Sequence, residues 1–326
     1  MSGGRGLATA AALACAAAAA GCGLGPGPSS RGTAILTVTR DYGSKTVVSA
    51  EEADPPASET VLRLLDREAE ITTRYGGGFV QSIDGLAGRE DGGRRYDWFF
   101  YVNGVESPVG AAEVRVHGGD RIWWDYRDWT EAMRVPAVVG SWPQPFARGE
   151  EQGTSRPVTI RCAGARTPCE TAARRLEDAG ARARIRRSTG ANPGDRGPAL
   201  LVGPWVAIRD DPAVDGLRGG PQSNGVFATF RGPIRGRGHL RGRYHLIALD
   251  QTGSPTHDLG LRAGLVAALG SGDGPPTWIA TGSGAPGVRR AAELLGGDDL
   301  TSRYAVAAEG ERAIPLPILR YAGGGR

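Results

Sequence analysis

From Thr33 onward, β-branched and polar residues alternate in TAILTVTR and again in KTVVSA, on either side of Asp41-Tyr42-Gly43-Ser44. This predicts a β-hairpin. In SETVLRLLDREAEI the residues Val61, Leu62, Leu65 and Ala69 form one apolar stripe at helical spacing. Ser58 is placed to cap that helix, with Glu59 in its first turn. Three further strands follow in FVQSI, YDWFFYVNG and DRIWWDYRD. A hairpin, one helix and then more strands is the order of a β-grasp fold, in which a sheet wraps a single helix. Between Glu131 and Thr154 the prolines and a closing polar cluster predict a linker lying against a domain. Beyond it, strand-like and helix-like runs alternate, from PVTIRCA and CETAARRLEDAGA through YHLIALD to PTWIAT, VRRAAELL and RYAVAAEG. The expected fold class is therefore α+β: a β-grasp-like domain over 33–129, a linker over 130–154 and a separate α/β domain over 155–322. The pattern does not define the sheet order of the second domain.

The aromatic residues are concentrated. Nine of them lie between Tyr96 and Trp129, and strand periodicity sorts them into two faces. Trp98, Phe100 and Val102, with Ile122, Trp124 and Tyr126, form the apolar set expected against the helix. Phe99, Tyr101 and Asn103, with Trp123 and Asp125, form the opposite set, expected to face outward and stay partly exposed. Such a patch on neighbouring strands contacts something. Two readings stand: a ligand platform made of Phe99, Tyr101, Asn103 and Trp123, or a face covered by the C-terminal domain or by Trp142.

The N-terminus changes the picture of where the protein works. After Arg5, the run Leu7–Ala20 is apolar but falls short of the roughly 20 residues a membrane span requires. It has the form of a signal-peptide core. It ends in Ala19-Ala20-Gly21-Cys22, followed by GLGPGPSSRG, so residues 1–21 resemble a lipoprotein signal peptide and 22–32 a flexible tether. Cys22 would then be the acylated anchor on the extracytoplasmic face of the cell membrane; a plain secretory peptide cut near Ala20 is the alternative. In an exported protein, Cys162 and Cys169 around AGARTP are expected to pair as a disulfide.

The strands carry a family resemblance. V-x-S-I-x-G at Val80–Gly85, W-x-x-Y-V-N-G at Trp98–Gly104 and G-D-x-I-x-W-x-Y at Gly119–Tyr126 together resemble the transcobalamin-like C-terminal domain family, over roughly Thr33 to Trp129. In bacteria that family consists largely of surface lipoproteins, and in animal cobalamin carriers the related domain supplies one side of a corrinoid site. The resemblance implies a binding protein, with cobalamin or another flat cofactor-like molecule as ligand and delivery to a membrane importer as its role. A structural cell-envelope protein contacting wall glycan or another protein is the alternative.

Other signals carry less. Gly282–Gly287, GSGAPG, fits G-x-G-x-x-G between a strand and a helix, with Glu309 ending a later strand. However, 52 glycines in 326 residues make about one chance match, and a packing turn is the reading adopted. The charge of +4 is almost entirely arginine, Lys45 being the single lysine. The densest basic run, Arg231–Arg243, contains no aromatic to stack bases, so no nucleic-acid partner is expected. His117, His239, His245 and His257 are dispersed, and neither H-E-x-x-H nor G-x-S-x-G occurs. No enzyme, cofactor or metal site is expected.

Overall fold

A computed structural model describes residues 28–147, 157–187, 190, 197–235, 242–271 and 274–320. Cys22, the tether up to residue 27, and His239 lie outside the described residues. Thr33–Arg40 (β1) and Lys45–Ala53 (β2) form the expected hairpin, followed by the helix Val61–Glu68 (α1). Ile71–Arg74 (β3), Phe79–Ile83 (β4) and Leu86–Ala87 (β5) make a small antiparallel sheet. Arg89–Asp91 (β6), Arg94–Val102 (β7), Val105–Glu106 (β8) and Arg121–Asp128 (β9) complete the first half. The main sheet runs β2-β1-β9-β7-β6, with β8 on β7, and its central pair β1 and β9 is parallel. That parallel pair flanked by antiparallel neighbours, with one helix across it, is a β-grasp arrangement.

The helix begins two residues later than the sequence suggests. Thr60 caps it, its hydroxyl oxygen accepting from the Arg63 amide at 3.2 Å. The Ser58 carbonyl instead accepts from the Arg63 and Arg115 guanidinium groups at 2.9 Å each. Val61, Leu64 and Leu65 are the buried positions, with Leu62 partly covered. They pack on Leu36, Val38, Trp98, Ile122, Trp124 and Tyr126, so the helix-facing set assigned by periodicity is the set in this core. Each fully buried aliphatic side chain contributes about 1.5–3 kcal/mol.

The second half contains Val158–Cys162 (β10), Arg166–Asp178 (α2), Ala183–Arg186 (β11), Ala199–Pro204 (β12), Trp205–Ile208 (α3) and Pro221–Asn224 (α4). Ala228–Arg231 (β13), His245–Leu249 (β14) and Pro255–Gly260 (β15) follow. The chain ends with Gly264–Ser271 (β16), Gly274–Gly282 (β17), Ala285–Leu294 (α5), Ala305–Glu309 (β18) and Arg312–Leu316 (β19). One seven-stranded sheet runs β11-β10-β12-β17-β16-β18-β19, and β13-β14-β15 form a separate antiparallel sheet. Strands β11, β10, β12 and β17 are mutually parallel; the apolar run of β12 reflects burial on both faces, while β11, ARIR, is the partly exposed edge. Helices α2 and α5 cover one face, through Leu176, Val288 and Ala291. The three-stranded sheet, through Phe227, Leu246 and Ala248, covers the other. Cys162 and Cys169 form the expected disulfide, with Cα atoms 6.0 Å apart, and tie the end of β10 to the first turn of α2.

Residues 130–147 are packed tightly against the second half. Val135 and Val138 enter the core on one face of the seven-stranded sheet, while Val139, Trp142 and Phe146 enter the core on the other. Trp142 and Phe146 close on Trp278, with ring centroids 5.8 and 4.9 Å away.

The G-x-G-x-x-G segment is a packing turn. A Cβ at Gly287 would sit 1.9 Å from the Ala263 carbonyl oxygen, and one at Gly264 would sit 2.3 Å from the Gly287 carbonyl oxygen. Helix α5 therefore meets the start of β16 backbone to backbone, with no room for a pyrophosphate there. Gly287→Ala is expected to lower stability by about 2–3 kcal/mol, measurable as a shifted midpoint in urea unfolding; an unshifted midpoint would contradict this packing.

Candidate functional site

The outward face of β7 and β9 is where a ligand platform is expected from sequence, and the structure corrects that expectation. Tyr101 is 0% exposed and Trp123 is 2% exposed. What covers them is Tyr304 at the entrance to β18, whose ring lies 6.0 Å from Tyr101, 5.3 Å from Trp123 and 5.1 Å from Tyr42 in edge-on contacts. Edge-to-face packing of this kind adds about 0.5–1.5 kcal/mol per pair beyond area burial. Phe99 is partly buried and carries the Arg127 guanidinium 3.9 Å above its ring. It also lines a small pocket of about 240 Å³ with Phe79, Trp98, Glu106 and Val109. Asn103 serves the turn between β7 and β8, where it and Gly104 both take positive φ. Its amide donates to Asp120 Oδ1 and its carbonyl oxygen accepts from the Arg121 amide, each at 3.0 Å. The four residues are thus not gathered on an open surface.

Polar groups are sealed into the same interface. The Asp125 carboxylate has no solvent exposure. Its Oδ1 accepts from the Thr39 hydroxyl at 2.6 Å and the Gly43 amide at 3.0 Å, and its Oδ2 accepts from the Tyr304 hydroxyl at 2.9 Å. Thr39 accepts in turn from the Trp123 indole at 2.8 Å. Two residues along β9, buried Arg127 donates to the carbonyls of Ala132 at 2.5 Å and Met133 at 3.1 Å. Burial pushes the Asp125 carboxyl up to about 6, although the Thr39, Gly43 and Tyr304 hydrogen bonds and the Arg127 charge all act to lower it. Burial likewise raises Tyr42, Tyr101 and Tyr304; the Tyr42 hydroxyl donates to the Asp128 carbonyl at 2.6 Å and that of Tyr304 to Asp125. The β1–β2 turn enters here too. Gly43 takes φ +76°, and a Cβ on it would fall 1.8 Å from the Ser302 carbonyl oxygen. Sequence reasoning missed Thr39, Arg127 and Tyr304. The only signal was an acid and an arginine alternating with Trp123 on one face of β9.

A cleft remains where the two halves meet at the surface. It encloses about 510 Å³ and takes Tyr42 and Ser44 from the β1–β2 turn. The second half supplies His257, Arg303 and Arg312, with an apolar wall of Ile314, Pro317 and Ile318. The Arg303 guanidinium donates to the Gly43 carbonyl at 2.8 Å and has no carboxylate within ion-pair distance among the described residues. Desolvation lowers its pKa against the opposing charge of Asp299, which lies beyond ion-pair distance; an anion in the cleft would oppose the desolvation more directly. Glu309 faces His257 at 3.2 Å and Arg312 at 3.6 Å; this occupies the acid that the glycine-rich segment had suggested for a ribose. No cluster of three or more metal-ligating side chains occurs among the described residues.

The first half is a β-grasp domain carrying a hairpin-turn motif and an aromatic strand pair. Residues 58–128 match the model of a family described as a domain of unknown function, DUF4430, which is related to the transcobalamin-like family. The match starts after β2 and ends with β9, leaving the second half uncovered. No curated protein matches the chain.

The buried Asp125 makes stability depend on pH with a defined sign. Its folded pKa lies above the unfolded value of 3.8, so between about pH 4 and 6 the unfolded chain has released a proton that the folded chain retains. Its contribution is therefore fully present below pH 4 and is lost as pH rises through 6, by about 3 kcal/mol. Thermal unfolding of wild type and Asp125→Asn across pH 4–8 should show this loss in wild type and a flatter profile in the variant; parallel profiles would refute it.

Proposed function

We propose that this is an extracytoplasmic binding protein, anchored through Cys22, that takes a small ligand into the cleft between its two halves. The observation that carries the reading is the convergence of Tyr42 and Ser44 with His257, Arg303 and an apolar wall around about 510 Å³. Junctions between domains are where such sites form, and this volume suits a drug-sized molecule or part of a larger one. Arg303, half-buried and with Asp299 acting on it only from beyond ion-pair distance, selects for an anionic group. The Ile314–Ile318 wall selects for an apolar or flat body beside it. Cobalamin, which carries one phosphate next to a flat macrocycle, is the first ligand to test because of the transcobalamin-like resemblance. Delivery of the captured ligand to a membrane importer follows as its role. The envelope reading, in which the protein contacts wall glycan, is favoured by a separate groove at the far end of the first half, lined by arginine and aromatic side chains.

The test is gel filtration of the chain from Cys22 onward, carrying Cys22→Ser, with cobalamin followed at a corrin absorbance band. Co-elution that weakens about tenfold in Arg303→Ala, the loss of one charge-assisted contact, is the expected outcome. Clean separation of protein and corrinoid removes cobalamin. Co-elution unaffected by Arg303→Ala removes the cleft as its site.

A further inference from the structure

At the end of β7 and β9 that lies away from the tether, the first half presents a second concavity, of about 390 Å³. The chain enters the sheet at Thr33, whose carbonyl accepts from the Gly119 amide just before β9, and runs along β1 to Arg40, beside Tyr126. Tyr96 pairs with Asp128 and Arg89 with Tyr96, so the groove flanked by Arg89, Arg95, Tyr96 and Trp129 sits at the opposite end. Eight residues of β1 separate the two ends, about 25 Å at the usual rise per residue.

The groove combines two kinds of chemistry. The Arg95 guanidinium lies 3.9 Å from the Trp129 ring centre, and that of Arg89 lies 4.8 Å from the Tyr96 ring centre. A guanidinium held over a ring is preorganised for carboxylate or phosphate oxygens, and of the two only Arg89 has an acidic neighbour within ion-pair distance among the described residues, Asp91 at 4.0 Å. Arg74 is steadied by Gln81 at 2.8 Å. Neither Arg74 nor Arg95 has a carboxylate within ion-pair distance among the described residues. Asp97, half-buried in the groove wall, is pushed upward by desolvation and is engaged by the Trp98 amide at 2.8 Å. Between the arginines lie Gln81, Glu90 and part-exposed aromatic edges, the hydrogen-bonding and stacking groups that suit a hydroxylated ring.

We propose that this groove binds a sugar polymer bearing anionic groups, the chemistry of a cell-envelope glycan. The inference deepens the envelope reading, and only its orientation relative to the membrane rests on Cys22 being the anchor. Attachment through Cys22 would enter at the opposite end of the sheet, leaving this groove open to the wall.

The chain from Cys22 onward carrying Cys22→Ser is titrated, by calorimetry at two salt concentrations, with polygalacturonate and with poly(ribitol phosphate). Neutral dextran and inorganic polyphosphate serve as comparisons. Binding of either glycan probe, with dextran inert and polyphosphate weaker, is the expected result, and the preferred probe tells whether carboxylate or phosphate is read. The Arg74→Gln, Arg95→Gln double variant and Trp129→Ala should each weaken that binding about tenfold or more, with melting temperatures confirming that both remain folded. Arg303→Ala, in the cleft, should leave it unchanged, so failure of the ligand-capture reading is scored independently. Polyphosphate binding as tightly as the glycans, undiminished affinity in the variants, or no binding by either glycan overturns the proposal. Detergent partitioning of the lipidated chain against Cys22→Ser scores the anchor by itself.

Discussion

One carboxylate without access to water is held from both halves of the chain, and much of the architecture follows from satisfying it. Asp125 sits on β9, beside the strand that begins the sheet, and receives hydrogen bonds from Thr39 and Gly43 of the first half and Tyr304 of the second. An isolated charge at such a depth would cost several kcal/mol. Three donors and Arg127 on the same face of the strand offset part of that cost, and burial still holds the carboxyl above its usual range. To bring the donors together, the β1–β2 turn must press against Ser302, which is why Gly43 carries no side chain. Tyr304 must then lie on Tyr42, Tyr101 and Trp123. The position of the surface cleft is a by-product of this closure, since Tyr42 lines both the interface and the cleft.

What the sequence revealed and what it concealed divide along the distance between contacting residues. The helix-facing set of β7 and β9 follows from alternation alone, because its partners on β1, α1 and β4 lie in the same stretch of chain. The Asn-Gly turn and the glycine-packed start of α5 are equally local, set by backbone demands that only a few residue types meet. The opposite face was legible as apolar and aromatic, but its cover was not: Tyr304 is 179 positions from Asp125, and no periodicity spans such an interval. The same holds for the cleft, whose residues come from 42–44, 256–257 and 303–319. The order of the seven-stranded sheet was hidden because the chain inserts the three-stranded sheet between β12 and β16 before returning to β12's side with β17. The misplaced helix cap is a smaller case: Ser58 and Thr60 both fit the pattern, and tertiary contacts to Arg63 and Arg115 settled the choice.

The stretch between the two halves has a consequence for what counts as a unit in this protein. The family match stops at residue 128, yet the next twenty residues supply Val135 and Val138 to one core and Val139, Trp142 and Phe146 to another. Cut at that boundary, the first half would bare Tyr42, Tyr101, Trp123 and two buried charges, and the second would bare the Tyr304 ring that packs on them. The piece that recurs as a sequence pattern is therefore not a piece that holds its shape alone. Cooperativity here extends across the junction, and denaturation meets one structure rather than two beads on a string.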